Sequence, residues 1–214
     1  MIFLDSADID DAKNAAHLAY VHGITTNPKL MAESGRPPLE QLRALLESFP
    51  DGPIFFQPGL VEHAVKELAE ALKLGEGRVV AKLPAQVEMF ALGAKLAADG
   101  VAVAYTALYS PAQALVAVDA GATWIIPYVD RAARLRPDSP VVAGIAQLLR
   151  ATRAPVSVLA ASIKSPEQAI GAVLDGADGV TAGLDVLREL AHDPLTEQAV
   201  DEFSDAARAH LKPN

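Results

Sequence analysis

Two textures alternate along the chain. Short apolar and β-branched runs, among them Ile2-Phe3-Leu4, Ile54-Phe55-Phe56, Val79-Val80-Ala81 and Trp124-Ile125-Ile126, are separated by longer Ala/Leu-rich stretches of helical periodicity. This alternation predicts βα units around a parallel sheet. Eight units can be marked, with strands starting near Ile2, Gly23, Ile54, Val79, Val101, Trp124, Val156 and Val180. At roughly 25 residues per unit, the chain lies near the lower limit for a (β/α)8 TIM barrel, which needs about 200 residues or more. No Pro/Ser-rich linker or low-complexity tract interrupts it, so one α/β domain over residues 1–214 is expected.

Helix-start signals are plain and should be set apart from chemistry. Ser110-Pro111-Ala112-Gln113 and Ser165-Pro166-Glu167-Gln168 read as capping boxes with proline in the first helical position. Asp99-Gly100, Ala120-Gly121 and Asp175-Gly176 stand where helices end and the chain turns into the next strand. Residues 195–211 follow the eighth unit and are expected to form an extra C-terminal helix. Its apolar stripe of Leu195, Val200, Phe203, Ala207 and Leu211 can pack on a neighbouring subunit or on its own barrel.

Composition narrows the class. A content of 51% hydrophobic and 21% charged residues excludes disorder, and the net charge of -9 gives no basic footprint for nucleic acid or an anionic membrane. An anionic substrate must therefore be held by a local cluster. With no cysteine there is neither a disulfide framework nor a thiolate metal site, which suits a reducing compartment. Met1-Ile2-Phe3-Leu4-Asp5 lacks the basic region of a signal peptide, and no run reaches the length of a membrane span. A soluble, cytoplasmic protein is expected.

Chemistry is sought at the C-terminal strand ends, where barrels of this kind place their sites. The first strand delivers Asp5 there, the second Thr25-Thr26-Asn27, the third Gln57, the fourth Lys82, the fifth Thr106, the sixth Tyr128 and the seventh Ser162. Each has a bland alternative. Asp5 can cap a helix, Asn27 before Pro28 can shape a turn, Gln57 and Thr106 can satisfy loop backbone, and Tyr128 can be a core aromatic with a wet hydroxyl. Convergence on one mouth is what caps and turns do not explain.

Lys82 is the anomaly, because lysine is almost never buried without a partner and a solitary lysine usually snorkels into solvent. Desolvated at the end of a core strand, it instead loses its proton readily and becomes a nucleophilic amine. The histidines, His17, His22, His63, His192 and His210, are all expected in helices or at helix ends, and only Asp5 offers a carboxylate at the mouth. That argues against a zinc-dependent aldolase or amidohydrolase and leaves lysine chemistry, without metal or cofactor. A neutral Lys82 can form an iminium ion with a ketone, and Asp5, Tyr128 and a water held by Gln57 and Thr106 are suitable proton carriers.

These motifs match a known family in register over nearly the whole chain. Asp5, Thr25-Thr26-Asn27-Pro28, Val80-Ala81-Lys82-Leu83-Pro84, Pro127-Tyr128-Val129-Asp130-Arg131 and Ala160-Ala161-Ser162-Ile163-Lys164 together resemble the small transaldolase and fructose-6-phosphate aldolase family. The resemblance implies a class I mechanism with Lys82 as the Schiff-base lysine. It implies that Asp5 and Asn27 hold and help deprotonate a dihydroxyacetone unit. It places Thr25 and Thr26 in the substrate-binding motif, and Arg131 and Ser162, with Lys164, on the phosphate of the aldose. Transaldolases of the family typically carry Glu and Phe where this chain has Gln57 and Tyr128, a pair that resembles the aldolase members. The chain departs from the pattern at Gln57-Pro58-Gly59-Leu60, at Thr181-Ala182-Gly183 and in its short C-terminus, which lacks aromatic residues. The resemblance also implies a homo-oligomer, a pentamer or decamer.

The expected function is thus a Schiff-base aldolase acting on a ketose such as fructose 6-phosphate. The runner-up is a transaldolase moving a dihydroxyacetone unit between sugar phosphates, as in the pentose phosphate pathway. A nicotinamide-dependent barrel oxidoreductase would call for a longer chain and usually a catalytic histidine at the mouth. A binding-only sugar-phosphate protein would have no use for a strand-end amine.

Overall fold

The computed structural model describes residues 1–210. In chain order the elements are β1 (Ile2–Asp5), α1 (Ile9–Ala16), β2 (Val21–Thr25), α2 (Pro28–Glu33), α3 (Pro38–Ser48), β3 (Ile54–Phe56), α4 (Ala64–Gly75), β4 (Val79–Pro84) and α5 (Val87–Ala98). They continue with β5 (Val103–Leu108), α6 (Pro111–Asp119), β6 (Trp124–Pro127), α7 (Val129–Leu135), α8 (Val141–Thr152), β7 (Ser157–Ile163), α9 (Pro166–Leu174), β8 (Gly179–Ala182), α10 (Leu184–Glu189) and α11 (Pro194–His210). All neighbouring strands are parallel, and β1 pairs with both β2 and β8, closing a (β/α)8 barrel in sequence order. Every expected strand start falls within two residues of the observed one.

The expected helix punctuation is present, with one difference. Ser110 and Ser165 accept hydrogen bonds from the backbone N–H groups of Gln113 and Gln168. The glutamine side chains, however, reach back one residue further than a capping box requires. They accept from the N–H groups of Tyr109 at 3.0 Å and Lys164 at 2.8 Å, and so tie each strand-end loop to the helix that follows it. Gly100, Gly121 and Gly176 have φ of 82°, 77° and 104°, which closes their helices with a left-handed residue.

Strand alternation sorts the sheet into two cores. Leu4, Ile24, Phe56, Ala81, Leu83, Tyr105, Ile125 and Ala160 point outward under the helices. Phe3, Phe55, Val80, Ala104, Ile126, Leu159 and Ala161 fill the barrel, with Trp124 packed against them. Phe3, Phe55 and Trp124 meet edge to face, with ring centroids 5.6, 5.7 and 5.7 Å apart, and close the N-terminal end. Gly23 on β2 makes room for this plug, since a Cβ there would stand 2.5 Å from the Pro53 carbonyl and 2.9 Å from the Phe3 ring.

Two details depart from the sequence reading. His22 lies in β2 rather than in a helix, but at the N-terminal end of the strand, away from the mouth. The stripe on α11 is not buried on its own barrel: Leu195, Val200 and Phe203 are exposed, and Leu211 lies outside the described residues. No helix among the described residues is long and apolar enough to cross a membrane.

Candidate active site at the barrel mouth

Inward residues set the site, because each lies two positions beyond a member of the barrel plug. Asp5 follows Phe3, Gln57 follows Phe55, Lys82 follows Val80, Thr106 follows Ala104 and Tyr128 follows Ile126. The period of two that fills the lower barrel with apolar groups thus aims these polar ones into its upper end. Lys82 is only 1% exposed, and its Nζ donates to the Thr26 carbonyl at 2.7 Å. Burial lowers its pKa below the usual lysine range, and the Asp5 charge offsets this only in part. None of the ion pairs among the described residues involves Lys82. Burial thus favours the neutral form of this amine over what a solvated lysine would show.

Lys82 opens on a cavity of about 170 Å³ lined by Asp5, Asn27, Lys29, Leu30, Lys82, Tyr128, Arg131, Ala161, Ser162 and Lys164. Seven of the eleven residues singled out from sequence therefore share one wall. Asn27 does two things: its Oδ1 caps α2, accepting from the N–H groups of Lys29 at 3.0 Å and Leu30 at 3.1 Å, while its side chain borders the cavity.

The other four stand behind or beside this wall. Thr25 is fully buried and donates to Asp5 Oδ1 at 2.9 Å, so it orients the carboxylate. Thr26 is also buried, with its hydroxyl on the Phe55 carbonyl at 2.8 Å and its own carbonyl on Lys82. Gln57 and Thr106 present buried oxygens, Oε1 and Oγ1, that have no hydrogen-bond partner among the described residues. The bland reading, in which they satisfy loop backbone, therefore does not describe those two atoms.

Tyr128 is half-buried at the start of α7, with the Arg131 guanidinium 5.2 Å from its ring centroid and the Tyr109 ring at 6.1 Å in an edge-on contact. Burial pushes its phenol up. The Thr106 hydroxyl pulls it partly back, although the two do not reach hydrogen-bond geometry.

Two backbone distortions shape the rim. Ala107 (φ 58°) and Ser162 (φ 60°) are non-glycine residues in the left-handed region, each at a register shift in its strand pairing. Strain of this kind costs about 1–3 kcal/mol per residue, and it turns the chain at the tops of β5 and β7 toward the cavity. Asp130 braces the same rim, accepting from Arg134 at 3.0 Å and from Gln168 at 3.4 Å. Partial desolvation would raise its pKa, but hydrogen bonds from Arg134 and Gln168 outweigh that and hold it low.

Sequence reasoning missed Thr181, Lys29, Leu30 and Ala161. Thr181 is buried in β8 and shares a 2.7 Å hydrogen bond with the Thr25 hydroxyl, completing a chain from Thr181 through Thr25 to Asp5. Its inward parity in the eighth strand was the available signal. Lys29 looked like any exposed helical lysine.

A buried strand lysine thus meets a carboxylate, a tyrosine and a set of cations at the C-terminal mouth of a (β/α)8 barrel. The profile of a family described as "Transaldolase/Fructose-6-phosphate aldolase" matches residues 2–213, and the chain belongs to that family. It is 32% identical over 204 residues to a "Probable transaldolase" of Geotalea uraniireducens, covering 94% of each chain. Proteins of the same description from Anaeromyxobacter dehalogenans and Hyphomonas neptunium are 35% and 33% identical, over 94% and 98% of this chain and 93% and 98% of theirs.

Proposed function

We propose that the protein is a class I aldolase that cleaves or forms a ketose such as fructose 6-phosphate, from dihydroxyacetone or a related ketone and an aldehyde such as glyceraldehyde 3-phosphate. The observation that carries this reading is the buried Lys82 amine of lowered pKa, opening on a cavity bordered by Asp5, Asn27 and Tyr128. Neutral Lys82 adds to the C2 carbonyl, and loss of the former carbonyl oxygen as water leaves an iminium ion. Asp5 takes the proton of the C4 hydroxyl. The C3–C4 bond then breaks, its electron pair flows toward the iminium nitrogen to give an enamine, and the aldehyde departs. Tyr128 returns a proton to C3, water adds to C2, and the ketone leaves as Lys82 regains its amine. The proton on Asp5 passes back to Tyr128 through water held by Gln57 and Thr106. Arg131, Ser162 and Lys164 hold the aldose phosphate, while Thr25 and Thr26 act through the Asp5 carboxylate and the Lys82 amine.

A second reading is favoured by the relatives, whose printed descriptions say transaldolase. Both readings use Lys82 alike and part at the fate of the enamine. Gln57 and Tyr128 favour protonation and release over waiting for an acceptor aldehyde. Release of free dihydroxyacetone from fructose 6-phosphate without an acceptor separates the two. Borohydride reduction with fructose 6-phosphate, followed by peptide mapping, tests the shared step: an adduct on Lys82 is expected, and its absence removes the mechanism. The exposed apolar face of α11 supports the expected homo-oligomer, which sedimentation of the purified chain tests.

A further inference from the structure

We infer that Gln113 and Gln168 are paired positioning residues, the first holding the proton-transfer side of the mouth and the second its anion-binding side. This rests on the Schiff-base reading above and deepens it. The two loops that carry the left-handed residues are built alike. In each, the left-handed residue (Ala107, φ 58°; Ser162, φ 60°) is followed two positions on by a held N–H (Tyr109; Lys164). The serine cap (Ser110; Ser165) comes three positions on, and the glutamine six. The serine caps the helix, which leaves the glutamine to serve the loop. Its Oε1 accepts the held N–H, at 3.0 Å in the first loop and 2.8 Å in the second, and closes a ring over a turn that no glycine eases.

What the other end of each amide grips sets the two apart. Gln113 Nε2 donates to the Ala85 carbonyl at 3.3 Å, and the Ala85 N–H donates to the Thr106 carbonyl at 2.9 Å. This circuit ties the end of the Lys82 strand to Thr106, whose Oγ1 has no partner among the described residues. Gln168 Nε2 instead donates to Asp130 Oδ1 at 3.4 Å, while Arg134 holds the other oxygen of that carboxylate at 3.0 Å. Asp130 directly precedes Arg131, and the N–H that Gln168 holds is that of Lys164. The second circuit therefore sets Arg131 against Ser162 and Lys164, all three of which border the cavity. Neither glutamine borders it, so each acts through the residues it holds.

The test uses the full chain, with dihydroxyacetone as donor and either glyceraldehyde 3-phosphate or glyceraldehyde as acceptor. Gln→Met at either position keeps the bulk and removes both hydrogen bonds without adding charge. Gln168→Met should raise KM for glyceraldehyde 3-phosphate and lower the phosphorylated-to-unphosphorylated ratio of kcat/KM, each by about fivefold. Gln113→Met should lower kcat by about fivefold with both acceptors and leave that ratio where it was. Gln113→Glu returns an acceptor for the Tyr109 N–H and should recover most of the loss. If the two Met variants change the ratio and kcat alike, or change neither, the glutamines serve the fold alone and the inference is overturned. Arg131→Ala should lower the same ratio. If it does and Gln168→Met does not, the inference falls while the phosphate station stands; if Arg131→Ala leaves the ratio unmoved, both fall.

Discussion

The two ends of the barrel interior are built from the same strands, two residues apart, and they do opposite things. At the N-terminal end Phe3, Phe55 and Trp124 interlock edge to face in an aromatic plug. At the C-terminal end stand a buried amine, two buried oxygens without partners among the described residues and two left-handed residues. The difference teaches that a reactive end of this kind depends on an inert one. The plug fills the barrel below Lys82, whose burial disfavours the charged form of its amine. The largest effect expected is therefore at the junction of the two regions. Lys82→Met should abolish Schiff-base turnover, a loss of about 10⁴-fold or more, yet stabilise the fold by about 0.5–2 kcal/mol, because it removes a buried ionisable group.

The sign of the pH effect follows. Folded Lys82 titrates below 10.5 because burial disfavours its charge, so between its folded and unfolded values the unfolded chain binds more protons. Wild-type stability should then rise with pH across that window, with the penalty present in full below it. The stability difference between Lys82→Met and wild type, measured by urea midpoints at several pH values, should narrow as pH rises toward 10.5. A difference that does not change with pH would mean that Lys82 is not desolvated.

Next in size, Phe55→Ala in the plug should cost about 3–5 kcal/mol of stability by opening a cavity among Phe3, Trp124 and their neighbours. If the inert end serves the reactive one, this variant should also slow borohydride trapping on Lys82 at temperatures where it remains folded. Trapping at the wild-type rate would mean that the two ends are independent. Tyr128→Phe keeps the ring under Arg131 but removes the hydroxyl. It should cut release of free dihydroxyacetone by about 10²-fold while sparing transfer to an added aldehyde, read as the ratio of the two products. An unchanged ratio would refute the role given to Tyr128.

The same comparison shows what the chain reveals before it folds. The plug and the outer core were legible because period-two strands and Ala/Leu-rich helices are written in apolar spacing, and the barrel follows from counting eight of them. Lys82 was legible because a charge ending an apolar strand is conspicuous. What escaped notice has physical reasons. Ala107 and Ser162 adopt backbone angles that no glycine announces, since the surrounding sheet rather than the residue imposes them. Their motif alone places Thr25 and Thr26 with the substrate-binding residues. Only the barrel geometry turns their hydroxyls toward Asp5 and the Phe55 carbonyl. Lys29 escaped because lysines on helical surfaces are common and only the closed ring brings this one to the mouth.

Thr181 offers the smallest and finest test of how the polar end is held together. Its hydroxyl bonds to that of Thr25 at 2.7 Å, and Thr25 spends its one proton on Asp5 at 2.9 Å, so Thr181 must be the donor in the first bond. Thr181→Val keeps the volume but removes the donor, leaving the Thr25 hydroxyl short of one partner in a buried setting. Loss of one such bond is worth about 0.5–1.5 kcal/mol, which predicts a fall in kcat of about twofold to thirteenfold at about constant KM if the chain serves to aim the Asp5 carboxylate. Thr181→Ser should restore activity, because it returns the hydroxyl and loses only a methyl. If both variants lose stability equally and neither changes kcat, the threonine chain is packing and nothing more. If only the valine variant slows turnover, the eighth strand reaches the reaction through two hydroxyls, by hydrogen bonding rather than by the packing that the plug supplies.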